Sequence, residues 1–208
     1  MQYNENKAKL QAMREEFEKM LKSTGRDGVD DCLAELESLG FFEAPASVNH
    51  HLNYDGGLME HSLNVCKCAM MLREQMIGMD ESLKPYLPED SVIIASILHD
   101  VCKADIYKPT VKRVKQPDGS WADAPSYDID YANFPMGHGE KSVIVLLLAG
   151  IALTNDEMLA IRWHMAAWDL AFNSREAQRS LDTARDISPL CTLIQCADTL
   201  AAGLLERK

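Results

Sequence analysis

Ser91-Val-Ile-Ile-Ala-Ser-Ile-Leu-His-Asp-Val-Cys-Lys103 is the stretch on which the reading of the chain turns. Val92, Ile93, Ile94, Ala95, Ile97, Leu98 and Val101 leave it almost no polar face, so it belongs inside the molecule. Such a run is a buried helix or a buried strand; its length and its neighbours favour the helix. The run closes on His99-Asp100, a titratable pair carried into an apolar interior. A buried carboxylate is costly unless a cation or hydrogen-bond donors meet it.

Working outward, the flanking segments are also helical. Asn6–Leu21 reads as an exposed, charged helix and Asp30–Leu39 as a second, ended by Gly40. Phe41–Gly57 is a loop holding Pro45, His50-His51 and Gly56-Gly57, with Phe41 and Phe42 packing back onto the body. Leu58, Val65, Ala69, Leu72 and Met76 form one stripe at helical spacing over Leu58–Met76. Thr110–Tyr131 differs: Val111 and Val114 flank basic residues, Pro117-Asp118-Gly119 is a turn signal, and Trp121 follows. A short hairpin is expected there. Helix resumes over His138–Leu153, and Thr154 with Glu157 makes a capping box for a helix through Trp168. Asn173 and Ser174 open a polar loop or short helix. Ser188-Pro189 starts the last helix, with Leu190, Leu193, Ile194, Ala197, Ala201 and Leu204 as its buried face. The expected fold is all-α with a small inserted β-hairpin near 110–131. It forms one domain over 1–208, with 1–40 as an N-terminal helical extension.

The 208 residues, 47% apolar and 25% charged, can bury a core without disulfide staples. A net charge of −11 argues against a broad surface for extended nucleic acid, although a small nucleotide can still enter a metal-lined pocket. The six cysteines form no CxxC pair and sit mostly in apolar helical patterns. The leading MQYNENKAKL has no apolar core of a signal peptide, and the longest apolar run, Val143–Leu153, is too short for a bilayer. A cytoplasmic protein without membrane contact is expected; assembly into a homo-oligomer stays open.

Four histidines and two aspartates fall where they can converge. His61 lies one turn before Val65, His138 opens the helix after the hairpin, and His164 lies one turn after Ile161. Asp198 lies one turn after Ile194. Each has a plain reading: a hydrogen-bonded core histidine, an Asp100–Lys103 pair, or Asp198 against Arg185 or a helix end. Their joint occurrence on separate apolar helices favours a shared cation, and imidazole with carboxylate suits Zn, Mn or Fe.

Gly56-Gly-Leu-Met-Glu-His-Ser-Leu63, Ile97-Leu-His-Asp-Val-Cys-Lys103 and Cys196-Ala-Asp198 occur in an order that resembles the H…HD…D signature of the HD superfamily. The first is similar to the GGLLEH string of the HD domain in YhaM-type 3′–5′ exoribonucleases, with His50-His51 just upstream. The likeness covers about Ala44 to Leu205 and implies an HD-domain helical bundle over 44–205, with metal on His61, His99, Asp100 and Asp198. His138 and His164 match the two further histidines of dinuclear members, in which Asp100 would bridge. The implied cofactor is a divalent transition metal (Mn, Fe, Co, Ni or Zn), as one or two ions. The implied function is a phosphohydrolase acting on a nucleotide or other small phosphoester through metal-activated water. Asp100 and Lys103 are the catalytic candidates. Lys103 lies one turn from the pair, and either neutralises phosphoryl charge or simply pairs with Asp100. His51, Lys103, Lys141 and Arg162 are candidates for substrate contact, with Lys112, Arg113 and Lys115 of the hairpin as weaker ones. The competing readings are a dinuclear iron oxygenase with the same ligand types, a non-catalytic nucleotide-binding regulatory module, and a helical interaction protein presenting Met70, Met71, Met76 and Met79.

Overall fold

A computed structural model describes residues 2–48, 50–171 and 173–207, with side chains from residue 6 onward. The chain is mostly helical. In order come α1 (Gln2–Ser23), α2 (Val29–Leu39), α3 (Gly57–Met79), α4 (Glu89–Leu98), α5 (Cys102–Ile106), the hairpin β1 (Tyr107–Lys115) and β2 (Trp121–Ile129), α6 (His138–Leu148), α7 (Asn155–Trp163), α8 (Arg175–Ile187) and α9 (Pro189–Leu200). Single 3₁₀ turns cover Glu81–Tyr86 and Ala166–Asp169, and a π turn covers Ala201–Leu205.

α4 explains the opening stretch. It packs against α1, α3, α7 and α9. Every residue from Ser91 to Leu98 is buried, so no polar face is needed. The expected single helix is two. α4 stops at Leu98 and α5 starts at Cys102, which places His99, Asp100 and Val101 on the corner between them.

The first helix is not exposed all round. Phe17 and Leu21 are fully buried. The Phe17 ring lies 5.3 and 5.6 Å from Phe41 and Phe42, the edge-to-face distances aromatic rings favour. Val29, Cys32 and Leu36 of α2 join the same core. Arg26, in the turn between α1 and α2, donates to both oxygens of Glu157 at 2.8 Å and to Asp90 at 2.8 Å. Glu157 also completes the expected capping box with Thr154.

The hairpin forms with Tyr107 opposite Ile129 and Lys115 opposite Trp121, so it starts earlier than expected. The Asp130 amide donates to the Ile106 carbonyl at 2.8 Å, and the Tyr127 hydroxyl donates to Asp55. Both contacts tie the strand roots to the body. α7 ends at Trp163 rather than Trp168, because Ala166 takes a left-handed φ of 48°. The region after Ser174 is a full helix, with the Ser174 hydroxyl accepting from the Ala177 amide. Met71, Met76 and Met79 face solvent rather than the core.

The last helix departs most from its pattern. Ala197 and Ala201 are buried as expected, but Leu204 is 63% exposed and Leu205 59%, while Glu206 is only 6% exposed. The cause is the π turn: the Glu206 amide donates to the Ala201 carbonyl at 3.1 Å, one residue beyond α spacing. The extra residue turns the leucines outward and the glutamate inward. Leaving a leucine in water forgoes about 1.5–3 kcal/mol. Among the described residues, no single helix is long and apolar enough to cross a membrane.

Candidate metal centre

Asp100, 2% exposed on its corner, is the hub. Its Oδ2 faces His61 Nε2 at 3.5 Å, His99 Nε2 at 3.4 Å and the Lys103 ammonium at 2.5 Å. Its Oδ1 faces His138 Nε2 at 2.6 Å and His164 Nε2 at 3.3 Å. Asp198 joins the first side, with Oδ1 at 3.2 Å from His61 Nε2, and His61 and His99 approach each other at 3.3 Å between Nε2 atoms. Thus α3, the α4–α5 corner, α6, the end of α7 and α9 each contribute to one point. Asp198 does not meet Arg185, which pairs with Gln195 instead.

Two glycines permit this convergence. A Cβ on Gly139 would lie 2.1 Å from the Arg162 carbonyl oxygen, so α6 and α7 touch backbone to backbone beside His138 and His164. A Cβ on Gly57 would lie 2.0 Å from the Leu52 carbonyl oxygen, so the loop bearing His51 seats on the start of the helix bearing His61.

The second nitrogen of each imidazole is also held. His99 Nδ1 faces the Ser96 carbonyl at 2.8 Å and His164 Nδ1 the Ile161 carbonyl at 2.7 Å. His61 Nδ1 faces both oxygens of Glu206 at 3.1 Å, and His138 Nδ1 lies 3.4 Å from the Cys102 thiol. A carbonyl or carboxylate only accepts, so Nδ1 of His61, His99 and His164 carries the proton and donates it. In the neutral ring, Nε2 is then a bare lone pair. Three such lone pairs aim at carboxylate oxygens, and His164 Nε2 is buried with no hydrogen-bond partner. Lone pair against carboxylate is repulsive unless a cation lies between.

The donor set fits a divalent metal. Two ligands on about 2.1 Å bonds at the tetrahedral angle lie about 3.4 Å apart. His61 lies 3.2–3.5 Å from His99, Asp100 and Asp198, and His99 lies 3.4 Å from Asp100. Triads His61–His99–Asp198 and His99–Asp100–His164 each bring their ligand atoms within 4.8 Å of one another.

Protons occupy the field otherwise. Burial pulls His61 down, but Asp100, Asp198 and Glu206 outweigh it and hold the imidazole well above its ordinary value. Burial likewise opposes the charging of His138, yet Asp100 raises it to about 10. Burial keeps His164 below its ordinary value. Burial would push the Asp100 carboxyl up, but Lys103, His99 and His138 hold it well below the usual carboxylate range.

Of the residues expected to touch substrate, Lys103 and His51 are at the centre. The His51 ring centroid lies 5.2 Å from that of His61. Lys141 and Arg162 have other partners. Lys141 is 2% exposed and pairs with Asp105 at 2.5 Å, and Arg162 binds Glu140 and Asp169 and stacks on Trp163 at 3.9 Å. Lys112 reaches across its own hairpin to Asp128, and Arg113 lies near Asp123. Glu206, Cys102 and Asn64 are the members the sequence did not reveal; Asn64 Nδ2 donates to Glu206 at 3.1 Å.

No protein-family model matches the chain, and no solved structure matches it. Over 89 residues, 43% of this chain, it is 30% identical to the dihydroneopterin 2′,3′-cyclic phosphate phosphodiesterase of Methanocaldococcus jannaschii. The match spans 32% of that relative's length, about a third.

Proposed function

We propose that the chain is a metal-dependent phosphoester hydrolase with an HD-type centre, acting on a nucleotide or another small phosphoester. The observation that carries this reading is the convergence of histidine lone pairs on the two oxygens of Asp100. His61, His99, Asp198 and Asp100 Oδ2 would hold one divalent cation. His138, His164 and Asp100 Oδ1 would hold a second, with Asp100 shared. A bound ion of this kind polarises a phosphoryl oxygen and lowers the pKa of its water from about 15.7 toward about 7. The chain's own contribution is to fix the ligands: each Nδ1 contact sets a ring's orientation, and Lys103 keeps Asp100 ionised. Lys103 would also neutralise charge on phosphoryl oxygens, and His51, beside His61 and Glu206, is a candidate for substrate contact. The likeness to a cyclic-phosphate phosphodiesterase supports phosphoester chemistry and adds cyclic diesters to the candidate substrates.

The test is metal analysis of the purified chain, with a panel of nucleotides, phosphomonoesters and cyclic phosphodiesters screened against Mn, Fe, Co, Ni and Zn. Bound metal and turnover are expected, with both lost in Asp100→Ala. Unchanged metal content and turnover in that variant overturn the proposal. Iron with oxygen consumption and no phosphoester cleavage would assign the chain to the dinuclear oxygenases instead.

A further inference from the structure

The end of α9 inverts the usual placement of residues: two leucines face solvent while a glutamate is buried between His61 and Asn64. Had the helix kept its α spacing past Ala201, the buried face would have continued through Leu204, as its sequence pattern requires. The π turn over Ala201–Leu205 breaks that register by one residue. Insertions of this type concentrate at functional sites. Its result is specific: Glu206 Oε1 and Oε2 both lie 3.1 Å from His61 Nδ1. The other buried imidazoles, His99 and His164, rest on neutral backbone carbonyls. His61 alone among these histidines has a full carboxylate behind it. Asn64, one turn along α3 from His61, holds that carboxylate with its amide at 3.1 Å. His51 Nε2, 3.7 Å from Glu206 Oε2, completes the surround.

We propose that Glu206 is a positioning residue for the metal centre: delivered by the π turn, its carboxylate accepts the Nδ1 proton of His61, fixes the ring's tautomer and aim, and strengthens Nε2 as a ligand. A carboxylate behind a ligating histidine is a known way to raise ligand basicity, and its loss costs 10- to 100-fold in metal affinity. The inference rests on the metal-centre reading above and adds a residue outside the ligand set.

The experiment titrates Co²⁺ into the chelator-treated full chain and follows both calorimetric affinity and the visible ligand-field spectrum. Wild type, Glu206→Ala, Glu206→Gln and Asp100→Ala are compared, with thermal melting of each metal-free protein alongside. Glu206→Ala should lower Co²⁺ affinity by about 10- to 100-fold and alter the spectrum. Glu206→Gln, which keeps an oxygen acceptor for Nδ1–H but not the charge, should recover part of both. Wild-type affinity and spectrum in Glu206→Ala would overturn the role of Glu206 while leaving the metal centre standing. Equal losses in both Glu206 variants, tracking a fall in metal-free melting temperature, would also overturn it, since the residue would then act only through the fold. Failure of wild type to bind Co²⁺, or full binding by Asp100→Ala, would bring down the metal centre and this inference together.

Discussion

The interior holds two buried charged clusters of opposite character. Around Asp105, with Lys108 at 3.8 Å, the Lys141 ammonium meets one carboxylate. Lys141 pairs with its Oδ2 at 2.5 Å and donates to the Asn133 carbonyl at 2.7 Å, while Asn133 donates back to Asp105 Oδ1 at 2.9 Å. Both oxygens of Asp105 and the Lys141 ammonium have partners of the right kind. Around Asp100, Lys103 meets one oxygen at 2.5 Å, yet the Nε2 atoms of His61, His99 and His164 also converge on the carboxylate, and His164 Nε2 has no hydrogen-bond partner. Asp105, 8% exposed, and Asp100, 2% exposed, both count as buried, so burial alone does not separate them. The balance of donors and acceptors does: the Asp105 cluster is complete as a strut joining α5, α6 and the segment after the hairpin, and the Asp100 cluster calls for a cation.

The contrast can be broken from either side. The largest effect belongs to Asp100→Ala. Metal affinity and phosphoester turnover should each fall at least about a hundredfold, since even outer-shell changes reach that size. Metal analysis and steady-state rates check this. Lys141→Met should leave metal binding in place and cost about 3 kcal/mol of stability, the low end for a broken buried pair, because Asn133 and Lys108 still meet Asp105. Differential scanning calorimetry should show a drop of roughly 6–12 °C in Tm. A smaller effect sharpens the comparison through pH. Burial favours the neutral Asp105 carboxyl, but Lys141, Asn133 and Lys108 together hold it below its ordinary value. A carboxyl depressed in the folded state contributes stability above its unfolded pKa of about 3.9 and loses it as pH falls below that. The stability gap between wild type and Asp105→Asn, measured by denaturant unfolding of chelator-treated protein, should therefore be largest near neutral pH. It should shrink between about pH 5 and 3. The smallest effect concerns the thiols. Burial raises Cys66 and Cys191 to about 11, and Cys102 is buried, whereas Cys196 is exposed. Mass spectrometry after brief alkylation of the native protein should find Cys196 labelled first, with metal content unaltered.

How much of this the sequence carried depends on the range of the signal. α4 was legible because a helix buried on every side has no polar residue to disguise it, and the same reasoning carried His99 and Asp100 inside. His61, His138, His164 and Asp198 were legible as polar residues on apolar arcs. Phe17 and Leu21 were missed because the charged residues around them outweigh a two-residue buried stripe. Lys141 reads as a surface base until the fold brings Asp105, on a different helix, beneath it. Glu206 was hidden by a change of helical register that no periodicity anticipates: the α pattern assigns the interior to Leu204 and the π turn gives it to Glu206.

Gly139 sets a limit on how this centre can vary. With the backbones of α6 and α7 already in contact there, any side chain at 139 would push the Arg162 carbonyl away. His138 and His164 flank that contact point, one on each helix, and both must reach the same oxygen of Asp100. Even a methyl group at this position would act as a wedge, opening the angle between the two helices and pulling one imidazole off the shared carboxylate. The pairing of these histidines is thus tied to a residue with no side chain at all.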